Sequence, residues 1–138
     1  MKVIKTLLPY LLIIVVIILI RTFIITPVRV DGTSMNKTLA DGDILLLYKL
    51  AKIDRFDIEE YDDEIIIKRI IGLPGETVEI KDGDIYINDI LMPDDEYAYG
   101  DTSDYDKITL GNDEYFILGD NRLISKDSRY FGAVKKDD

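Results

Sequence analysis

The feature that most constrains this chain is a long apolar run near its N-terminus. Leu7 to Ile20 contains no charged residue, and the run extends backward to Val3 past Lys5. A helix from Val3 to Ile20 would be about 27 Å long at ~1.5 Å per residue, close to the ~30 Å hydrocarbon core of a bilayer. Lys5 and Arg21 would then reach the two polar interfaces. A chain with this segment is expected to enter a membrane.

Two other interpretations of the apolar run compete with a membrane span. A buried core helix or strand pair would need more surrounding protein than so small a domain offers. A cleaved signal peptide has the same basic start and apolar centre. However, the residues RTFI at 21–24 contain no small-x-small cleavage pattern. We therefore predict an uncleaved anchor over residues 1–22, with a transmembrane helix at about residues 3–21. The flanking charges leave its orientation open.

The chain contains no cysteine and no histidine. The lack of cysteine excludes a disulfide scaffold, a Cys-ligated metal site and a thiol nucleophile. The lack of histidine excludes a Ser-His-Asp triad and removes the commonest general base and transition-metal ligand. All 27 acidic residues lie beyond residue 30, where they outnumber the bases. Because phosphate contacts come from clustered Lys and Arg, we expect no nucleic-acid partner.

The rest of the chain, residues 23–138, has the pattern of an antiparallel β-rich domain. Short runs rich in Ile, Val and Tyr alternate with Gly, Pro and Asp turns. The predicted strands are residues 23–30, 43–48, 64–71, 77–81, 84–88 and 114–118. Asp82-Gly83 predicts a two-residue hairpin, and Pro74-Gly75 predicts a type II turn. The acidic stretch from Pro93 to Lys107 is expected to be a solvated loop. The predicted fold class is mainly β, with one N-terminal transmembrane helix.

Lys68 and Arg69 lie within an isoleucine-rich predicted strand. Because side chains alternate along a strand, Lys68 shares one face with isoleucines and Arg69 shares the other face with isoleucines. Apolar neighbours on both faces are typical of a strand covered on both sides. Burial lowers the pKa of a lysine from ~10.4, and a neutral lysine can take a proton from a serine hydroxyl. A lysine that snorkels from a strand end is the alternative.

Two polar segments also carry candidate functional groups. Ser34 follows a predicted strand in the sequence GTSM, where a serine is either a turn residue or a nucleophile. Residues 119–132, GDNRLISKDSRYFG, are too polar for a core strand and rich in side chains that bond to local backbone. An Asp127–Arg129 pair could fix the geometry of this loop. An ordinary polar surface turn is the alternative interpretation.

Taken together and in this order, these segments resemble the type I signal peptidase family of membrane-anchored serine proteases. Ser34-Met35 within GTSMNKTL is similar to the nucleophile motif of the family, and KRIIGLPGE at 68–76 is similar to its catalytic-lysine motif. GDNRLISKDSRYFG resembles the last motif of the family. GDILLL at 42–47 and the anchor also match. The resemblance therefore covers nearly all of the chain.

The resemblance implies roles for individual residues. Ser34 is the nucleophile and Lys68 the general base of a Ser-Lys dyad in a catalytic domain spanning residues 23–138. The supporting residues are Ser125, which orients the lysine amine, the pair Asp127 and Arg129, and Arg69 beside the lysine.

The resemblance also implies how the dyad is surrounded. The backbone N–H of Ser34 would hold the oxyanion, and Gly32 stands where some members supply a second hydroxyl donor. Lys37 stands where the family normally has proline.

The resemblance further implies a substrate and a location. The protein would remove N-terminal signal peptides from secretory preproteins after small-x-small motifs, through an acyl-enzyme and without cofactor or metal. It would cross the cell membrane once, with its N-terminus in the cytoplasm and its catalytic body outside. Its partners would be preproteins and the lipid membrane, while its oligomeric state is not implied.

Two other functions fit part of the pattern. A self-cleaving repressor-type protein shares the dyad and a similar β scaffold, but it should carry a DNA-binding helix-turn-helix domain instead of an anchor. A catalytically inactive membrane-anchored β-domain that binds peptides or partner proteins would keep the architecture. Such a domain would not need Ser34, Lys68 and Ser125 together.

Overall fold

The computed structural model describes residues 2–61, 66–93 and 96–135, with side chains from residue 6 onward. Glu64 and Ile65 of a predicted strand, Asp94 and Asp95 of the predicted loop, and residues 136–138 lie outside the described residues. The described chain forms two compact units. The first combines residues up to 29 with residues 44–52, and the second combines residues 30–43 with those from 53 onward.

The first unit contains the apolar run as helix α1, Lys2–Phe23. Its apolar side chains from Leu7 to Ile20 are exposed, which does not support a buried core helix. Among the described residues, α1 is the one helix long and apolar enough to cross a membrane. The unit also contains the antiparallel strands β1, Ile25–Arg29, and β2, Ile44–Tyr48.

The second unit is built from two four-stranded antiparallel sheets. The first sheet has the order β10-β9-β4-β3, with strands β3 Ile58–Tyr61, β4 Ile66–Gly72, β9 Glu114–Leu118 and β10 Val134–Lys135. The second has the order β7-β6-β5-β8, with strands β5 Thr77–Lys81, β6 Asp84–Ile87, β7 Ile90–Met92 and β8 Tyr105–Thr109. A one-turn helix, α2 Ser128–Phe131, follows β9. The predicted mainly β fold class is confirmed.

The main core forms where side chains of the two sheets meet. Ile71 of β4 and Phe116 of β9 pack with Val78 of β5 and Ile85 of β6, all at most 1% exposed. A smaller cluster, including Ile70, covers the opposite face of the first sheet. Strand β4 is therefore covered on both faces, as its continuous isoleucine pattern predicts.

Both predicted turns are present. Asp82 and Gly83 have φ values of 54° and 85° and connect β5 to β6, as expected for a type I′ hairpin. In the other turn, the Glu76 N–H donates to the Leu73 carbonyl oxygen over 3.1 Å, and Gly75 has a φ of 81°. This positive φ is the one that the third residue of a type II turn requires, and glycine adopts it without steric cost. The turn leads directly from β4 into the second sheet.

The structure corrects several details of the sequence prediction. Strands β3, β7 and β10 and helix α2 were not predicted, and the expected loop from Pro93 to Lys107 ends in strand β8. Strand β3 has glutamates at both central positions, so it lacks the alternating apolar pattern. Strand β8 is mostly exposed and polar, so its sequence does not indicate a strand, and its antiparallel pairing with β5 defines it. The other three elements have four residues or fewer, too few to show a period.

We expect Gly72→Ala to destabilise the second unit. A Cβ at Gly72 would lie 2.6 Å from Val78 Cγ2, 2.8 Å from Leu110 Cδ1 and 3.0 Å from Phe116 Cβ. Overpacking of this kind costs about 1–3 kcal/mol, measurable as a lower free energy of unfolding in urea. Gly111→Ala is the matched control, since the three atoms nearest its new Cβ all belong to the flexible Glu114 side chain, at 3.1 Å or more. Equal stability of the two variants would contradict the packing described here.

Candidate active site

Ser34 lies in a tight backbone turn, Thr33–Leu39, called the serine turn below. The Asn36 N–H donates to the Thr33 carbonyl oxygen, and the Thr38 and Leu39 N–H groups donate to the Met35 carbonyl oxygen, over 2.9–3.1 Å. The Met35 side chain is 1% exposed and anchors the turn in the protein. Ser34 itself is half-buried, so its hydroxyl remains open to a cleft.

Lys68, on the central strand β4, reaches this serine. Its Nζ donates to Ser34 Oγ over 2.9 Å and to the Ile67 carbonyl oxygen over 3.0 Å. The lysine is only 5% exposed, because it lies in an isoleucine-rich strand that is itself buried. The strand therefore places an amine and a hydroxyl in direct contact, at a position with little access to water.

Burial lowers the pKa of Lys68 below its ordinary value, because desolvation disfavours the charged ammonium. The carboxylates of Asp127 and Asp120 raise the pKa of this lysine and offset only part of that effect. Each of these carboxylates is already bonded to an arginine, Asp127 to Arg129 and Asp120 to Arg69. The result is a lysine that loses its proton more readily than a lysine in water.

Residues 119–127, called the polar loop below, pack against the serine turn. The Asn121 N–H donates to the Ser34 carbonyl oxygen over 2.9 Å. A Cβ at Gly119 would lie 2.1 Å from Ser125 Oγ and 2.8 Å from the Ser34 carbonyl oxygen. Glycine at position 119 therefore allows the loop and the serine turn to approach each other. Ser125 is fully buried, and its hydroxyl has no hydrogen-bond partner among the described residues.

Asp127 closes the polar loop by three kinds of contact. Its carboxylate accepts from Arg129 Nε over 2.8 Å and from Arg129 Nη2 over 2.9 Å. It also accepts from the Gly119 N–H over 3.0 Å and caps helix α2 through the Arg129 N–H. The Asp127 carboxylate therefore joins the two ends of the loop, and its bidentate contact with Arg129 is the pair that the sequence suggests.

Arg69 forms a second buried pair on the opposite side of β4. Its Nε and Nη2 donate to the two carboxylate oxygens of Asp120 over 2.8 and 2.7 Å. The same guanidinium donates to the Phe56 carbonyl oxygen over 2.7 Å and to Thr38 Oγ1 over 3.2 Å. Arg69 therefore connects four segments of the chain: β4, the residues around Phe56, the polar loop and the end of the serine turn.

A cleft of about 260 Å³ opens at the serine and the lysine. Four of its lining side chains are apolar, namely Val30, Met35, Ile66 and Ile67, and two exposed charged residues, Asp31 and Lys126, complete the lining with Ser34 and Lys68. On its β9 side, β4 is paired only from Arg69 onward, so Ile66 to Lys68 have strand hydrogen bonds to β3 alone among the described residues.

All six residues singled out from the sequence lie within this one unit. Ser34 contacts Lys68, Asp127 contacts Arg129, Arg69 lies beside Lys68, and Ser125 packs near Gly119. Sequence reasoning did not single out Asp120, Thr38 or Gly119. Asp120 and Gly119 lie inside the motif quoted above, but only the folded structure shows which atoms they meet.

We expect Asp127→Ala to destabilise the protein strongly. The change leaves the Arg129 guanidinium, whose side chain is 4% exposed, without its carboxylate, and it leaves the Gly119 N–H without an acceptor. Removing one partner of a buried pair costs about 3–5 kcal/mol, measurable as the free energy of unfolding in urea. Lys107→Met is the control, because it removes an exposed ion pair to Asp89 and should leave the unfolding midpoint unchanged. A small effect of Asp127→Ala would contradict its role in closing the loop.

The chain is similar in sequence to known proteins of one family. A family model described as signal peptidase, peptidase S26, matches residues 2–138. A signal peptidase I of Streptococcus pneumoniae is 34% identical, with 94% of this chain and 85% of the relative covered. Signal peptidase I V of Bacillus subtilis is 32% identical, with 89% of this chain and 86% of the relative covered.

A solved structure agrees with these sequence relatives. A crystal structure of a signal peptidase I from Enterococcus faecalis is 37% identical and has a TM-score of 0.54. The match covers 62% of this chain and 92% of that one. With a β-rich body, one apolar N-terminal helix and a family match over nearly its whole length, the chain belongs to the signal peptidase family, peptidase S26.

Proposed function

We propose that the protein is a membrane-anchored serine endopeptidase that removes N-terminal signal peptides from secreted preproteins. The observation that carries the proposal is the 2.9 Å contact between Lys68 Nζ and Ser34 Oγ, made by a lysine that is buried. Membership of the signal peptidase family supports the reaction class. In this proposal Ser34 and Lys68 form a Ser-Lys dyad, which requires neither a cofactor nor a metal.

The proposed reaction begins when Ser34 Oγ attacks the scissile carbonyl carbon and its proton passes to the neutral Lys68 amine. When the tetrahedral intermediate collapses, the carbon–nitrogen bond breaks and the Lys68 ammonium protonates the leaving amine. Water then attacks the acyl-enzyme while Lys68 takes a proton from it, and this proton returns to Ser34 Oγ as the ester bond breaks. The lowered pKa of Lys68 supports this role, since the amine must be neutral at the start of each step that removes a proton.

The substrate oxygen that becomes negative needs a hydrogen-bond donor. We propose the Ser34 backbone N–H, which donates no hydrogen bond among the described residues. Gly32 supplies no hydroxyl, and its own N–H donates to Asp41 Oδ1 over 2.9 Å. The second donor is therefore not Gly32.

The remaining site residues are proposed to support the dyad. Asp127 and Arg129 hold the polar loop in place, and Arg69 holds β4 against that loop. The buried hydroxyl of Ser125 has no partner among the described residues, so it is available to orient the Lys68 amine. None of these residues exchanges a proton with the substrate in this proposal.

The cleft supports a preference for small side chains in the substrate. Its volume of about 260 Å³ is below the ~300–1,000 Å³ of pockets for drug-sized ligands, and half of its lining is apolar. We propose that small-x-small motifs place two small side chains here. The substrate would run as an extended strand along Ile66 to Lys68, where β4 has strand hydrogen bonds on one side only among the described residues.

We propose that α1 anchors the protein in the cell membrane with the N-terminus in the cytoplasm and the catalytic body outside. The length and the exposed apolar surface of α1 support the span. In domain terms, residues 1–22 would be the anchor and residues 23–138 the catalytic domain. A shared membrane raises the effective concentration of enzyme and tethered preprotein.

We expect Ser34→Ala to abolish cleavage of a preprotein after Ala-x-Ala by the purified full-length chain in detergent. Lys68→Met, which keeps the length of the side chain, should act in the same way. Both losses should exceed about 10³-fold in kcat, because neither half of a dyad works alone. The readout is release of the signal peptide, measured by mass spectrometry. Thr109→Ala is the control, since its exposed hydroxyl lies on β8.

The same experiment tests the alternative of an inactive anchored β-domain. That alternative predicts binding of the preprotein with no cleavage by the unaltered protein. Cleavage by Ser34→Ala at the rate of the unaltered protein would instead exclude Ser34 as the nucleophile.

The pH dependence should follow the titration of Lys68. Its pKa is lowered in the folded protein, so the neutral base forms below the ~10.4 of free lysine. We expect kcat/KM to rise tenfold per pH unit on the acid side and then level off at an apparent pKa below 10.4. The free energy of unfolding should also rise with pH between the folded pKa of Lys68 and the ~10.4 of the unfolded chain. In that range the unfolded chain binds a proton that the folded protein does not. A profile that levels off only above pH 10.4 would contradict a desolvated base.

A further inference from the structure

Residues Tyr97–Tyr99, called the tyrosine segment below, contact both the serine turn and the polar loop. Lys37 Nζ of the serine turn donates to the Ala98 carbonyl oxygen over 2.8 Å. On the other side, the Tyr99 N–H donates to the Asp120 carbonyl oxygen over 2.8 Å. The segment is therefore bonded both to the serine turn and to the polar loop.

The same segment also contacts the strand that carries Lys68. The guanidinium carbon of Arg69 lies 4.0 Å from the centroid of the Tyr97 ring, in cation–π contact. The Phe56 ring packs on Tyr97 with the centroids 5.2 Å apart. The Tyr97 ring therefore covers one face of a guanidinium that is 4% exposed and that Asp120 also holds. The tyrosine segment thus meets all three elements that surround the dyad.

The backbone of Lys37 has a strained conformation that its surroundings must hold in place. Its φ is 113°, a conformation that residues other than glycine rarely adopt and that persists only where the surroundings hold it. Proline, whose φ is fixed near −65°, cannot adopt it. The bond from Lys37 to Ala98 adds a contact outside the turn to the backbone hydrogen bonds within it.

We infer that Lys37 and Tyr97 are positioning residues that use the tyrosine segment as a brace between the serine turn and β4. Lys37 holds the turn to the segment, and Tyr97 holds the segment to Arg69, the neighbour of Lys68. The brace fixes Ser34 Oγ relative to Lys68 Nζ, where a displacement of about 1 Å can cost 10²-fold in rate. The inference rests on the proposed function, since it concerns the geometry of the dyad.

The first test compares Lys37→Met with Lys37→Arg in the full-length chain. Lys37→Met keeps the length of the side chain and removes the donor to Ala98, so kcat should fall about tenfold while KM changes less than twofold. Lys37→Arg retains a donor and should restore most of kcat. Lys107→Met, which removes a lysine from an exposed ion pair in the same unit, should match the unaltered protein. The thermal unfolding midpoint is measured for each variant.

The second test removes the ring at the other end of the brace. Tyr97→Leu should lower kcat severalfold, whereas Tyr97→Phe keeps the aromatic face over Arg69 and should remain near the unaltered rate. Because both residues act through one segment, Lys37→Met combined with Tyr97→Leu should lose less than the product of the two single effects.

These outcomes separate a failure of the brace from a failure of the proposed function. If the unaltered protein cleaves and Lys37→Met cleaves at the same rate, the brace is refuted and the Ser-Lys dyad stands. A loss of kcat that Lys37→Arg does not restore, accompanied by a lower unfolding midpoint, also refutes it. If the unaltered protein is no more active than Ser34→Ala, the proposed function fails, and the brace fails with it.

Discussion

The contact between the Lys68 amine and the Ser34 hydroxyl depends on keeping water away from a group that prefers to be charged. Strand β4 achieves this because it is covered on both faces, with isoleucines before and after Lys68 and Arg69. A lysine at a sheet edge could extend into water and keep its proton. The central position of β4 therefore governs both the packing of the body and the chemistry proposed for it.

Two unpaired carboxylates near the Lys68 amine would favour its charged form and raise its pKa. Asp120 and Asp127 each meet a guanidinium in bidentate geometry, and both of these pairs are almost completely enclosed. Each arginine places a positive charge against its carboxylate, and desolvation is the largest cause of the change in the Lys68 pKa, which is lowered. The same two pairs also fix the polar loop, which means that electrostatics and loop geometry depend on the same residues.

The fold could be predicted from sequence wherever a strand had an apolar period or a turn had a required residue. The isoleucine run of β4 and the Asp82-Gly83 hairpin are examples. Strand β3 could not, because its glutamates follow no alternating pattern and only pairing with β4 defines it. The same limit applies to the site. Motifs identified Ser34 and Lys68, whereas the contact of Tyr97 with Arg69 depends on tertiary packing between positions 28 residues apart, which no local pattern encodes.

Gly119 has a consequence for how the sequence of this protein can vary. Even a single methyl group at this position would overlap a side chain and a main-chain oxygen at once. A neighbouring side chain can be shortened by a second substitution, but a peptide oxygen cannot be removed by any. Any larger residue at position 119 therefore requires the backbone of the serine turn to move, and no second side-chain change removes that requirement.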